Sequence, residues 1–522
     1  MRSLINLFII KPQDFVNLIK EASNTSISRE RYIDLVKVIS ISAVIYSTIV
    51  FLSLESSGQE VLIHNSSSND INMSIMSWYL NGLVVFFFCN GFSNSIAWYS
   101  NIGRDGSVWE FLANRINSIL GPVLMLIVFG TIMINYSISN KLIPEYLVTV
   151  NDNLHPTSEF LLWPLWLVSI YLVVLMFSPI TAYFHKKYSF LFITALLTLF
   201  LFIDLFTFNQ SIEYISYLNY LLFWLFVHQI GYFYADGTLQ QIKMPFYFIL
   251  STVSYLTLYI LSLETLATTS VSNFRLSLIT NEDPPTIFML LSGVGLISLV
   301  LIFRNLLEEA MNNKTLWYIV SFLNSHIYTI FLWHTFSFMF VYFFKLPLFT
   351  LVLSFLLFFL IIGSPERNTF RLSSSLVKRI SPEQPWPLPI KARFSLNNVA
   401  LSWYGSFLIL LSTVQITLGG VGTFGFLVDR QLFFLNGNTF EAFLRLIIGM
   451  VLLNITIRSK QFRNISLISA AILLTVLLSY RLYYELSVHY LELMFTIFGL
   501  FLCIYSIFQN RNNKMSKRVI SK

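Results

Sequence analysis

Charged and strongly polar side chains inside long apolar runs are the residues of this sequence that could do chemistry, because such a group is costly in hydrocarbon and by default marks a functional site or a buried partner. Eight residues qualify: Asp34, Lys37, Arg115, Asp204, His228, His326, His334 and Arg445. His334 lies well inside its run, in Tyr328-Thr329-Ile330-Phe331-Leu332-Trp333-His334-Thr335. A neutral imidazole near its reference pKa can take a proton from a hydroxyl, so His334 is a candidate general base, with a structural hydrogen bond as the competing reading. His326 is eight residues earlier, about 80° around a continuous helix, so the two need not act together. Lys37 and Arg115 open their runs, where they could either snorkel to headgroups or contact an anion. Asp204 suits a helix cap or the interface as well as function. His228 has no carboxylate at short helical spacing and reads as a packing histidine. No metal site is expected, since no carboxylate, third histidine or cysteine joins the histidines at ligand spacing. Neither a P-loop nor a G-x-G-x-x-G cradle is present.

The elements that must position these groups follow from composition. Of the 522 residues, 56% are hydrophobic, 17% aromatic and only 11% charged. A soluble domain carries about 25% charged residues, so too little polar surface is left to cover a water-soluble globule. The bilayer is the expected solvent. Cys89 and Cys503 both sit in apolar runs, which argues against a disulfide framework or thiolate metal site. The net charge of +7 comes from short basic clusters between apolar runs, not from one basic face, so no nucleic-acid partner is expected.

A spanning helix needs roughly 20 apolar residues, and about fourteen segments meet that requirement. They are 36–54, 77–99, 117–136, 160–182, 189–208, 213–234, 244–263, 286–303, 317–344, 346–363, 399–418, 441–457, 464–480 and 490–508. The fold class read from this pattern is all-α: a polytopic integral membrane helical bundle with both termini cytoplasmic and an open oligomeric state. Threading the chain with residue 1 in the cytoplasm puts every Lys and Arg of the 33 on the cytoplasmic side except Lys141, Arg275, Lys345, Arg430, Arg445 and Arg481. That asymmetry is what the positive-inside rule requires.

The chain divides into an N-terminal interfacial segment (1–30), a membrane core (31–363), a proline-rich cytoplasmic linker (364–398), a further set of helices (399–508) and a basic tail (509–522). The linker carries Pro382, Pro385, Pro387 and Pro389, a density that prevents a helix. The loops 55–76, 137–159 and 264–285 are long and rich in Asn, Ser and Thr, and could form an outer lid or substrate platform. Asn65-Ser66-Ser67 and Asn72-Met73-Ser74 have the sequon pattern, which chance explains in so Asn-rich a chain. The run Leu4 to Ile10, broken by Lys11-Pro12, favours an interfacial amphipathic helix over a removable signal.

Several motifs, in order, resemble those of the membrane acyltransferase 3 family, in its branch common in actinobacteria. Asp34 and Lys37 stand where the family's first span has Asp and Arg, and Thr48 stands where it has His. Phe87-Phe88-Cys89-Asn90-Gly91-Phe92 is similar to the second-span Phe-Phe-x-x-Ser-Gly-Phe, one residue shorter and with Asn90 for Ser. Arg115 keeps the first Arg of an R-x-x-R that precedes a proline, here Pro122. Pro164-Leu165-Trp166 with Tyr171 and Ser178-Pro179 resembles the fourth span, Gly231 to Gly237 the end of the sixth, and Thr329 to His334 the family's T-I-Y-L-W-H.

The resemblance implies O-acylation: an acyl group, commonly acetyl from acetyl-CoA, passes to a hydroxyl of a cell-envelope glycan, lipid or small molecule at a bacterial plasma membrane. Acyl-CoA would be a substrate and not a permanently bound cofactor. The family's base is the first-span His, which Thr48 cannot replace, and Lys37 lacks the bidentate fork of Arg. The expected roles are therefore His334 and Asp34 in catalysis, Lys37 and Arg115 on the donor phosphate, and Asn90, Tyr171, Trp166 and Thr48 lining the substrate site, among membrane lipids. Two alternatives remain open: a degenerate relative that binds without catalysis, and a flippase or transporter of lipid-linked glycans. The latter usually shows two similar halves, which this sequence lacks.

Overall fold

Helix α8 (Met244–Ala267) shows what solvent this chain is built for. Ile249, Val253, Leu256 and Ile260 recur along one stripe and are exposed, while Tyr247, Ser251, Ser254 and Leu258 on the other side are buried. In water that distribution would be inverted. In hydrocarbon it is the stable one, because lipid tails solvate aliphatic side chains and small polar residues pack helix to helix.

The computed structural model describes residues 30–57, 60–65, 71–112, 164–210, 218–267, 285–343, 396–419, 430–432, 435–437, 439–455, 460–483 and 490–520, with residue 353 and single residues between 114 and 126. The N-terminal segment 1–29, the loops 137–159 and 268–284, the proline-rich stretch 364–395 and nearly all of the span expected at 346–363 lie outside them. Two compact units form, one from residues 9–100 and 173–361, the other from 1–8, 101–172 and 362–522.

In the first unit the helices are α1 (Arg31–Phe51), α2 (Ile71–Tyr79), α3 (Gly82–Ile102), the later part of α4 (Pro164–Tyr188), α5 (Phe190–Gln210), α6 (Leu218–Ala235), the single turn α7 (Thr238–Gln241), α8, α9 (Ile287–Ile302), α10 (Arg304–Ala310), α11 (Lys314–Ser325) and α12 (Ile327–Phe343). Helix α6 is buried on almost every side from Phe223 to Tyr234 and forms the centre. It crosses α3 in backbone contact: a Cβ on Gly91 would lie 2.1 Å from the His228 carbonyl oxygen, and one on Gly231 2.3 Å from that of Phe88. Only glycine allows that approach. Asp204 caps a neighbour, its Oδ2 accepting from the Ile287 N–H at 2.9 Å, so of the readings open to this residue the structure shows the cap.

The second unit holds α13 (Leu396–Gly419), α14 (Thr439–Ile455), α15 (Lys460–Tyr483) and α16 (Tyr490–Ile520) around a core that includes Leu401, Leu408, Ile448, Leu452, Leu474 and Leu502. Gly405 and Gly449 bring α13 and α14 together, a Cβ on Gly449 falling 2.6 Å from the Gly405 carbonyl oxygen. Arg445, expected near the outer face, is buried in α14 and paired at 3.3 Å with Glu441 one turn earlier.

The fold class is all-α, as the sequence pattern predicts, with two short antiparallel hairpins, β1 (Leu52–Ser57) with β2 (Glu60–Asn65) and β3 (Arg430–Leu432) with β4 (Leu435–Gly437), in interhelical loops. One expectation needs correction. The run 317–344 is not one helix: it breaks at His326, whose φ of −121° and ψ of 17° end α11 before α12 begins. Among the described residues three helices are long and apolar enough to cross a bilayer, or four if α9 and α10, bent by 54°, form one span.

Candidate active site

Helix α1 carries its functional groups on one stripe. Lys37 and Thr48 are eleven residues apart, which is about 20° around the axis and about 16 Å along it. Four residues tie α1 to the chain that runs from Met311 into α12. Arg31 donates to the Met311 carbonyl at 3.4 Å and lies 4.8 Å from the Trp317 ring centroid. Asn324 donates to Asp34 Oδ1 at 2.6 Å. Lys37 Nζ stands over Tyr328, 5.4 Å from its centroid, and over Phe86 of α3 at 5.3 Å. Thr48 Oγ1 is 3.4 Å from His334 Nε2. The contacts advance together on both partners, so α1 runs parallel to the α11–α12 segment.

The chemical state of His334 follows from its partners. Its Nδ1 faces the Phe331 carbonyl, which can only accept, so Nδ1 carries the proton. The neutral ring therefore turns the Nε2 lone pair toward Thr48. The Thr48 hydroxyl is also 3.0 Å from the Val44 carbonyl oxygen, and its single proton can go to either acceptor. Both side chains are buried, at 3% and 7% exposure for His334 and Thr48, so a proton exchanged between them is screened from water.

Lys37 is held by aromatic faces, a setting that stabilises a cation away from water. Asp34 and Lys37 lie at the N-terminal end of the stripe, both half-buried. Asn90, on α3, is 2% exposed, and its Nδ2 has no hydrogen-bond partner among the described residues. One turn on, the Asn94 amide donates to His228 Nε2 at 3.1 Å, so His228 is held as a packing histidine would be. His326 no longer shares a helix with His334; its Nδ1 donates to the Phe322 carbonyl at 2.9 Å.

Arg115, Tyr171 and Trp166 belong to the second unit by chain division. Arg115 is half-buried, Tyr171 is buried, and the Trp166 side chain lies outside the described residues. Of the expected site residues the structure thus brings together Thr48 and His334, with Lys37 on the same pair of helices and Asp34 joined to α11.

Some groups escaped the sequence reading. Asn324, Phe86 and Tyr328 become partners only through tertiary packing and carry no local signal. His185 donates from Nε2 to Asp236 Oδ2 at 3.1 Å while the Gln229 amide donates to its Nδ1, a network spread over α4, α6 and the turn after it. Arg304 bonds Glu308 at 2.5 Å and pairs with Glu30 at 3.7 Å, and Tyr234 donates to the same Glu30 oxygen at 2.9 Å. Its four-residue spacing to Glu308 could have been read, as could that of Glu441 to Arg445. Among the described residues no cluster of three or more His, Cys, Asp or Glu could hold a metal.

Comparison with known proteins gives one match. The model of the acyltransferase 3 family, described as an acyltransferase domain, matches residues 30–364, more than half of the chain. No curated protein and no solved structure matches.

Proposed function

The chain belongs to the acyltransferase 3 family of membrane-embedded proteins, and from that premise we propose that it transfers an acyl group, acetyl in the first instance, from acyl-CoA to a hydroxyl of a cell-envelope glycan, lipid or small molecule. The observation that carries this reading is the 3.4 Å approach of His334 Nε2 to Thr48 Oγ1. Position 48 is where the resemblance places the family's base. His334, matched to the last residue of the family's T-I-Y-L-W-H, brings an imidazole from α12 beside that position, with Nε2 turned toward Thr48.

In direct transfer, the simplest form of this reaction, the acceptor O–H gives its proton to Nε2 as oxygen attacks the thioester carbonyl. The C–S bond breaks, and the CoA thiolate takes that proton from the imidazolium. The Phe331 carbonyl keeps the ring in the tautomer that can start this cycle. Lys37 meets the donor phosphates, Asp34 is oriented beside it through Asn324, and Asn90 lines the acceptor side. The about 16 Å between Lys37 and Thr48 is a distance that the linear pantetheine arm suits, with phosphate at one end and thioester at the other. The enclosing topology is about fourteen spans with both termini cytoplasmic in a bacterial plasma membrane.

The test is label transfer. Protein reconstituted in vesicles is given acetyl-CoA labelled in the acetyl group together with an envelope extract. The reading expects label in a glycan or lipid fraction, and a raised KM for acetyl-CoA in Lys37→Met that Lys37→Arg reverses. Wild-type protein that labels no acceptor with acetyl-, propionyl- or palmitoyl-CoA favours instead a relative that binds without turning over, which the loss of the first-span His would explain.

A further inference from the structure

We propose that Thr48 is itself the first acyl acceptor, so that transfer proceeds through an O-acyl-threonine on α1 with His334 serving both halves of the reaction. This rests on the acyl-transfer reading above. The hydroxyl that faces the unprotonated nitrogen of His334 belongs to the protein, at 3.4 Å, a separation that needs only a small closure to reach hydrogen-bond length. A threonine hydroxyl is a weak nucleophile until an adjacent base takes its proton, and the requirement for activation is a base within reach that is itself oriented by a third group. Here Nε2 is the base and the Phe331 carbonyl is the orienting group.

The hydroxyl also has somewhere to rest. Its bond to the Val44 carbonyl at 3.0 Å is the back-bond that threonine makes within a helix, and it leaves Oγ1 beside Nε2. In the first half-reaction the Thr48 proton passes to Nε2, Oγ attacks the thioester carbonyl, the C–O bond forms and the C–S bond breaks. CoA leaves as the thiol with that proton. In the second half the acceptor hydroxyl gives its proton to Nε2 and attacks the ester carbonyl. The Thr48–acyl bond breaks, and Thr48 oxygen recovers the proton. Atoms and charge balance without any further reactant. Burial of both side chains protects the ester from hydrolysis between the two steps. The placement of Lys37 on the same stripe lets the donor approach along α1 and depart before the acceptor arrives.

The experiment uses the full-length protein in lipid nanodiscs with acetyl-, propionyl- and palmitoyl-CoA and no acceptor. The expected result is a burst of CoA release approaching one equivalent per chain, with one acyl group mapped by peptide mass spectrometry to Thr48. Thr48→Ser keeps the burst. Thr48→Val, which preserves shape and packing, loses it, as does His334→Ala. If wild-type protein labels an envelope acceptor without ever carrying the acyl group on Thr48, or Thr48→Val labels it at the wild-type rate, the relay is overturned and direct transfer stands. Wild-type protein that labels neither itself nor an acceptor removes both proposals. Thermal melting of the purified variants separates loss of chemistry from loss of fold.

Discussion

Replacing His334 tests the chemistry with the least disturbance to the fold. The Nδ1 bond of His334 goes to a carbonyl of its own helix, and Thr48 keeps the Val44 carbonyl, so His334→Ala strands no buried donor on the opposite helix. What disappears is the proton acceptor at 3.4 Å from the hydroxyl. Positioned general bases contribute about 10²- to 10⁴-fold, so the variant should lose about 3–5 kcal/mol of transition-state stabilisation. The decisive measurement is the initial rate of acyl transfer at saturating acetyl-CoA, beside the melting temperature of the same preparation. A fall in kcat with little change in KM for the donor is expected, because nothing at the Lys37 end is altered. His334→Gln should be as slow, since an amide accepts a hydrogen bond but not a proton. A rate within about a factor of two of wild type in both variants would refute the assignment of the base.

Three predictions concern the frame around the site. Gly231→Ala would place a methyl group 2.3 Å from the Phe88 carbonyl oxygen, and separating α3 from α6 should cost about 1–3 kcal/mol or more, read as a lowered midpoint in thermal unfolding. Glu441→Leu leaves Arg445 buried in the second unit without this carboxylate and should destabilise it by about 3–5 kcal/mol, whereas Glu441→Leu with Arg445→Met should return close to wild type; equal losses in both would refute the pair's role. Asp204→Ala removes the acceptor for the first N–H of α9 and should cost about 0.5–2 kcal/mol, visible as faster amide exchange at Ile287 and not at the helix centre.

How far the fold was legible depended on which physical signal a residue leaves in one dimension. Membrane immersion follows directly from composition, and the stripe from Ile249 to Ile260 in α8 displays its result. The motifs from Asp34 to His334 place most of the chain in its family. Breaks are harder to read. Hydropathy runs unbroken through 317–344, yet the polar triple Asn324-Ser325-His326 is where the helix ends, because these side chains find partners that compete with the helical ladder. Thr48 was legible as a departure from the family pattern but not as the neighbour of His334, since the approach of two side chains 286 positions apart is set by packing alone. Asn324 was invisible for the same reason, although it donates to Asp34 at 2.6 Å.

The Glu441–Arg445 pair bears on the order in which the second unit can assemble. Either charge buried alone would be costly, and Glu441 and Arg445 are both buried. Because both sit on α14, one turn apart, they can neutralise each other as soon as that turn winds, before α15 and α16 have been synthesised. The translating ribosome therefore delivers α14 with its buried charges already paired, and its packing does not wait for α15 and α16 to supply counter-charges.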